Sequence, residues 1–137
     1  MESKQALYGE AVQTLSDGEQ TTLILVTRPE ASPLVEAGRA SSELRGTGIA
    51  KQLLVINGGL TDYSVEDKVA VALYNRQAQA LEQMPKELEE LSSYSIPLAP
   101  FNVIGIEHLR EFFQSSPSCT AVAATASADQ KHTMAPL

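Results

Sequence analysis

The chain has 137 residues, enough for one domain with a modest core. Its net charge of -7 and its ten scattered basic residues exclude a nucleic-acid surface, which needs clustered Lys and Arg. No run nears the roughly 18 apolar residues of a membrane span, and Met1 to Gln5 lacks the pattern of a signal peptide, so the expected location is the cytoplasm.

Residues 4–17 carry Ala6, Leu7, Ala11 and Leu15 at helical spacing, with Gly18 as C-cap. Leu23 to Val26 is a continuous apolar strand that runs into Thr27-Arg28-Pro29-Glu30. Ser32 as N-cap and Pro33 at the first helical position predict a second helix, with Leu34, Ala37 and Leu44 inward and Gly46 or Gly48 at its end. Leu53 to Ile56 is a second apolar strand, stopping at Asn57-Gly58-Gly59. A third helix is expected from Ser64, with Asp67 completing a capping-box-like pair and Val65, Val69, Ala72, Leu73 and Leu81 on its apolar face. Pro85 interrupts it, and Leu88 and Leu91 mark a short further helix. Tyr94 to Leu98 is a third strand, and Gly105 to Phe113 a closing helix with Ile106, Leu109 and Phe113 inward.

Apolar strands alternating with amphipathic helices imply an α/β fold: a three-layer parallel sheet of about three strands, covered on both faces by helices. Residues 1–114 form the folded part. From 115 to 137 the composition turns to Ser, Ala, Thr and Pro, which buries too little surface to offset its ordering entropy, so a flexible linker or tail is expected there. A sheet this small with an open parallel edge implies homo-oligomerisation through that edge, or further strands elsewhere.

Ligands of open α/β sheets sit beyond the carboxyl ends of the strands. That rule directs attention to Pro29 and Glu30 after the first strand, Asn57 after the second, and Pro100, Phe101 and Asn102 after the third. A carboxamide offers both donor and acceptor, which suits the edge of an adenine ring, although Asn-Gly-Gly is also an ordinary turn signal. Proline and phenylalanine can flank a flat ring or simply build a loop. Glu89 and Glu90 read as a solvated helix face, and His108 as a structural or exposed residue. Cys119 is the only cysteine, and with His108 and His132 as the only histidines no zinc site can be built. No Ser/His/Asp or Cys/His constellation can be assembled, so no catalytic residue is assigned. The sequence contains no Gly-x-x-x-x-Gly-Lys-Ser/Thr phosphate loop.

Taken together, Val26-Thr27-Arg28-Pro29-Glu30, Leu53 to Leu60, Gln79 to Leu91 and Pro100 to Leu109 resemble the deviant-Walker P-loop ATPases. Within them the resemblance is to the later part of one nucleotide-binding half of the arsenical pump-driving (arsenite/antimonite-translocating) ATPases, and it covers roughly residues 5–113. It implies the distal half of a P-loop NTPase fold. It also implies that Asn57 approaches the adenine of ATP, that Pro100 to Asn102 border the same base, and that Pro29 and Glu30 lie near the nucleotide or the interface between two ATPase halves. In the complete enzyme ATP and Mg²⁺ would drive arsenite or antimonite export through a membrane permease, placing the protein in the cytoplasm or peripherally at the inner membrane. Its partners would be the rest of the ATPase chain and that permease. The Mg²⁺-binding and water-activating residues of the family have no counterpart here, so the 137 residues alone are expected to be catalytically inactive. The metalloid-binding cysteines are not matched, since Cys119 falls in the tail. The Cys-x-x-Cys of the eukaryotic targeting relatives is absent between Gly58 and Met84, which favours the arsenite branch. The competing expectations are a free-standing protein-interaction module, whose acidic helices would bind the partner, and a fragment of a related targeting or partitioning ATPase.

Overall fold

A computed structural model describes residues 2–115 and 120–122. The element order is α1 (Glu2–Ser16), β1 (Leu23–Thr27), α2 (Ala31–Gly46), β2 (Gln52–Gly59), α3 (Lys68–Glu82), α4 (Lys86–Glu89), β3 (Ser92–Pro97), α5 (Gly105–Ser115) and β4 (Thr120–Val122). The strands form one sheet in the order β1-β2-β3-β4. The first three are parallel, with Leu25 opposite Leu54 and Leu54 opposite Ser93. The α/β sheet flanked by helices is therefore as the sequence implies.

The core lies on one face of that sheet. Leu34 of α2, Leu54 and Ile56 of β2, Ala80 of α3, and Leu88 and Leu91 at α4 pack together, with Leu25, Ala37, Leu81 and Met84 against them. Burial alternates along β2, so Leu53, Val55 and Asn57 belong to the opposite face. On that face the expected covering is incomplete. Ile24 and Val26 of β1 are 54% and 64% exposed, and α1 leaves Leu7 and Leu15 open to solvent. Helical spacing of apolar residues marks which side of a helix is apolar, and says nothing about whether a partner meets it.

Several boundaries depart from expectation for local reasons. Helix α2 starts two residues earlier than Ser32 implies: Glu30 occupies the cap position with extended backbone and no side-chain cap. Its carbonyl accepts from the Leu34 N–H at 3.1 Å. Pro33 still falls in the first turn, where its missing N–H would be orphaned anyway. Helix α3 starts four residues later than Ser64, because the Asp67 carboxylate accepts from both Val69 and Ala70 N–H groups. Ser64 instead builds the turn before it, accepting from Glu66 N–H at 3.3 Å. Of the predicted apolar face, Val65, Val69 and Leu73 are exposed, and α3 meets the core only through its last turns.

In α5 the inward residue is Phe112, not Ile106, Leu109 or Phe113, which stay exposed. Strand β3 begins at Ser92 rather than Tyr94 and ends at Pro97. A fourth strand also forms inside the segment whose composition suggested a tail: Thr120 to Val122 pair antiparallel with Ser93 to Ser95. Cys119, His132 and the remainder of that segment lie outside the described residues.

One glycine fixes the spacing of two helices. At Gly38, buried in α2, an added Cβ would sit 2.8 Å from Pro85 Cβ and 3.1 Å from its Cγ. Pro85 occupies the N-cap position of α4, whose Leu88 is fully buried, so the ring has little room to retreat. Overpacking costs about 1–3 kcal/mol, while alanine in a helix recovers about 1 kcal/mol relative to glycine. Gly38→Ala is accordingly expected to destabilise by about 1 kcal/mol net, lowering Tm by roughly 4 °C in a circular-dichroism melt. An unchanged or raised Tm would show that α4 moves aside freely.

Candidate functional site

Three strand ends meet at one end of the sheet. At the first, Thr27 is buried at the last position of β1, and the chain turns outward through Arg28, Pro29 and Glu30. The Arg28 Nε lies 3.1 Å from Glu30 Oε1, and both side chains are largely exposed. The turn is closed by Glu30 N–H donating to the Arg28 carbonyl at 2.8 Å.

The second end holds a bulge. Asn57 pairs opposite Ile96, then Gly59 opposite Pro97, so Gly58 is the extra residue. Gly58 has φ +80°, a conformation that disfavours any residue with a Cβ. Bulges of this kind re-aim the neighbouring side chain, and Asn57 is left exposed at the strand end. Two ties hold the backbone just past it. Leu98 N–H donates to the Gly59 carbonyl at 2.8 Å. The Gln77 carboxamide from α3 takes Leu60 on both sides, Oε1 accepting from its N–H at 2.8 Å and Nε2 donating to its carbonyl at 3.3 Å.

The third end, after β3, carries the loop to α5. Its Phe101 ring lies 6.2 Å from the His108 ring, and His108 Nδ1 sits 2.8 Å from the Ile104 carbonyl at the helix start.

These ends border a cleft of about 550 Å³ whose wall includes Arg28, Asn57, Leu98, Phe101, Asn102 and Phe112. The size suits a small organic ligand. Of the residues expected from sequence, Asn57, Phe101 and Asn102 come together here. Pro100 is not part of this wall. Pro29 and Glu30 line a separate, smaller cleft of about 110 Å³, which shares Arg28, Gly58 and Leu98 with the first. Arg28 and Asn57 also border a third hollow of about 480 Å³ beside α2, so the two residues form the ridge between it and the main cleft.

Sequence reasoning missed Arg28, Leu98 and Phe112. Arg28 was within reach, since it lies between Thr27 and Pro29 at a strand end. Phe112 would have required the correct helical phase of α5.

The cleft wall offers groups suited to recognising a ligand. Asn57 presents a donor and an acceptor, Phe101 an apolar ring and Arg28 a cation, which together suit a flat polar ring carrying negative charge nearby. Among the described residues no three His, Cys, Asp or Glu side chains gather. The residues that line the cleft include no carboxylate to hold a Mg²⁺ ion.

A family profile described as anion-transporting ATPase matches residues 1–116. The chain belongs to that family. An arsenical pump-driving ATPase of Acidiphilium multivorum is 39% identical over 111 residues, covering 80% of this chain and 19% of that protein. Two arsenical pump-driving ATPases of Escherichia coli are 34% and 35% identical, over 89% and 85% of this chain and 21% and 20% of their own lengths. The chain thus spans about a fifth of the length of these curated relatives. The anion-transporting ATPase assignment agrees with the resemblance carried by the strand-end motifs. Among the described residues no helix is long and apolar enough to cross a membrane.

Proposed function

We propose that this chain forms the adenine-side wall of a nucleotide site in an arsenical pump-driving ATPase, with Asn57 holding the edge of the base. The observation that carries the reading is the meeting of Asn57, Phe101 and Asn102 at one cleft beyond the carboxyl ends of parallel strands. Phe101 supplies an apolar surface beside the ring, and Asn57 pairs with its donor and acceptor atoms. Pro100 shapes the loop that carries Phe101 and Asn102. Pro29 and Glu30 lie one cleft away, on the side toward a neighbouring ATPase segment.

Phosphoryl transfer needs a phosphate cradle and a bound metal ion. In this reading both come from ATPase residues outside these 137, and Mg²⁺ is bound there. The complete enzyme hydrolyses ATP to drive arsenite or antimonite export. Its partners are the remaining ATPase segments and a membrane permease, and it works in the cytoplasm or peripherally at the membrane. The 137-residue chain alone hydrolyses no ATP, because it contains no phosphate loop.

A titration of ¹⁵N-labelled chain with ATP tests this directly. The expected result is chemical-shift change concentrated at Asn57, Gly58, Phe101 and Asn102. Asn57→Ala is expected to weaken ATP about tenfold, the loss of two hydrogen bonds of about 0.5–1.5 kcal/mol each. Absence of any shift at millimolar ATP, or Mg²⁺-dependent hydrolysis by the purified chain, would overturn the proposal.

A further inference from the structure

We infer that Gln77 is a positioning residue for the Asn57 cleft, acting through the backbone of Leu60; this rests on the nucleotide reading above. Asn57 stands at the head of a Gly58-Gly59 pair, and glycine gives the chain its greatest backbone freedom. Gly58 is moreover an unpaired bulge residue at φ +80°. Left to itself, such a segment would let the strand end, and the carboxamide it carries, drift through many orientations.

The restraint comes from outside the strand. Gln77 grips Leu60, the first residue beyond β2, by both backbone polar groups at 2.8 and 3.3 Å, as a neighbouring strand would. Gly59 is fastened separately to Leu98 at 2.8 Å. Leu98 belongs to the wall of the Asn57 cleft, so that tie spans the bulge and the third strand end. The Gln77 tie anchors the residue just past the bulge to α3.

A second contact sets the stretch back onto the same helix: the Tyr63 and Tyr74 rings lie 4.7 Å apart. The link from β2 to α3 is thereby folded against α3 at two points, three residues apart on each side. Gln77 itself is half-buried and borders the smaller cleft shared by Arg28, Pro29, Glu30 and Gly58. It is not among the residues that line the main cleft, and it acts on a ligand there through the Leu60 backbone it holds. A glutamine is suited to this task because a single rigid amide plane carries one acceptor and two donors. Glutamate keeps the acceptor and loses the donors; leucine loses both.

The test compares wild type, Gln77→Leu, Gln77→Glu and Asn57→Ala in the full 137-residue chain. ATP affinity is read by ¹⁵N shift titration, Leu60 amide hydrogen exchange by NMR, and Tm by circular dichroism. Gln77→Leu is expected to weaken ATP about fivefold, with faster Leu60 exchange and smaller shift changes at Asn57. Gln77→Glu, which still accepts from Leu60 N–H, is expected to retain an affinity between those of Gln77→Leu and wild type, and it decides the matter should the leucine variant fail to fold. If Leu60 exchange rises and Tm falls while ATP affinity stays within twofold, Gln77 merely supports the fold and the inference is wrong. An ATP effect from Asn57→Ala without one from Gln77→Leu rejects the positioning role alone. No ATP response in wild type rejects both readings together.

Discussion

Leu54→Ala is expected to cost about 3 kcal/mol or more of stability. Leu54 is fully buried at the middle of β2, the strand flanked on both sides by parallel neighbours. Its side chain lies in the cluster where α2, α3 and α4 meet the sheet, together with Leu34, Ala80 and Leu88. Truncation removes three carbons from that contact and leaves a void whose walls are set by strand pairing on two sides. Buried Leu→Ala changes cost about 2–5 kcal/mol, rising with the volume that fails to collapse. A cavity bounded by backbone ladders collapses poorly, which places this site in the upper part of that range. Domain stabilities run at about 5–15 kcal/mol, so the variant would sit near its unfolding threshold. Chemical denaturation should show a lower midpoint with an unchanged slope. Leu54→Met, which roughly conserves volume, should cost less than about 1.5 kcal/mol. Equal losses for alanine and methionine would mean that shape rather than burial governs the position.

How much of this fold the sequence discloses depends on what each signal measures. Leu23 to Val26 and Leu53 to Ile56 are legible as parallel strands because they are runs of branched apolar residues between polar turns, although Ile24 and Val26 stay exposed where burial is implied. Strand β4 is not legible. Thr120-Ala121-Val122 carries no pattern, and it is a strand only because the Ser93 to Ser95 edge accepts its backbone. The exposed apolar residues of α1 and α5 show the complementary failure. Ile106 repeats with helical spacing and is still 74% exposed, because amphipathicity records a readiness to pack without naming the surface that will be packed. Asp67 displaces Ser64 as the α3 cap for a reason of chemistry: one carboxylate satisfies two N–H groups that a hydroxyl further upstream cannot reach.

The site divides along the same line. That Asn57, Phe101 and Asn102 would share one end of the sheet follows from parallel topology, since every strand delivers its carboxyl end to the same side. Which neighbours complete the wall does not follow. Arg28 enters because the Pro29 turn leaves its side chain beside the strand ends, and Phe112 because of the rotational phase of α5. The Gln77 grip on Leu60 is the least legible of all, a side chain meeting a backbone 17 positions away. Nothing in the spacing of polar residues encodes such a pair.

The largest polar effect is expected at Gln52→Leu, about 2 kcal/mol of destabilisation. Gln52 opens β2 on the buried face, where its carboxamide reaches under α2. It accepts from the Ser41 hydroxyl at 2.6 Å and donates to the Ile49 and Ser41 carbonyls at 2.8 and 3.2 Å. Ser41 is fully buried, so no water stands ready to replace the lost acceptor. Leucine keeps most of the volume and none of the polarity, which isolates the hydrogen-bond contribution from the cavity contribution. An abandoned buried polar group costs about 1–3 kcal/mol. The Ser41 hydroxyl can recover part of this by turning back to its own helix. The Ile49 carbonyl, in the tight connection after α2, loses its Gln52 donor as well. Removing the other partner as well should therefore help: Ser41→Ala with Gln52→Leu is expected to be about 1 kcal/mol more stable than Gln52→Leu alone, since no hydroxyl then remains to satisfy. The four-protein cycle of wild type, two singles and the double gives the coupling directly from denaturation midpoints. Strict additivity would show that the Ser41 hydroxyl and the Gln52 carboxamide contribute nothing to one another beyond their separate contacts.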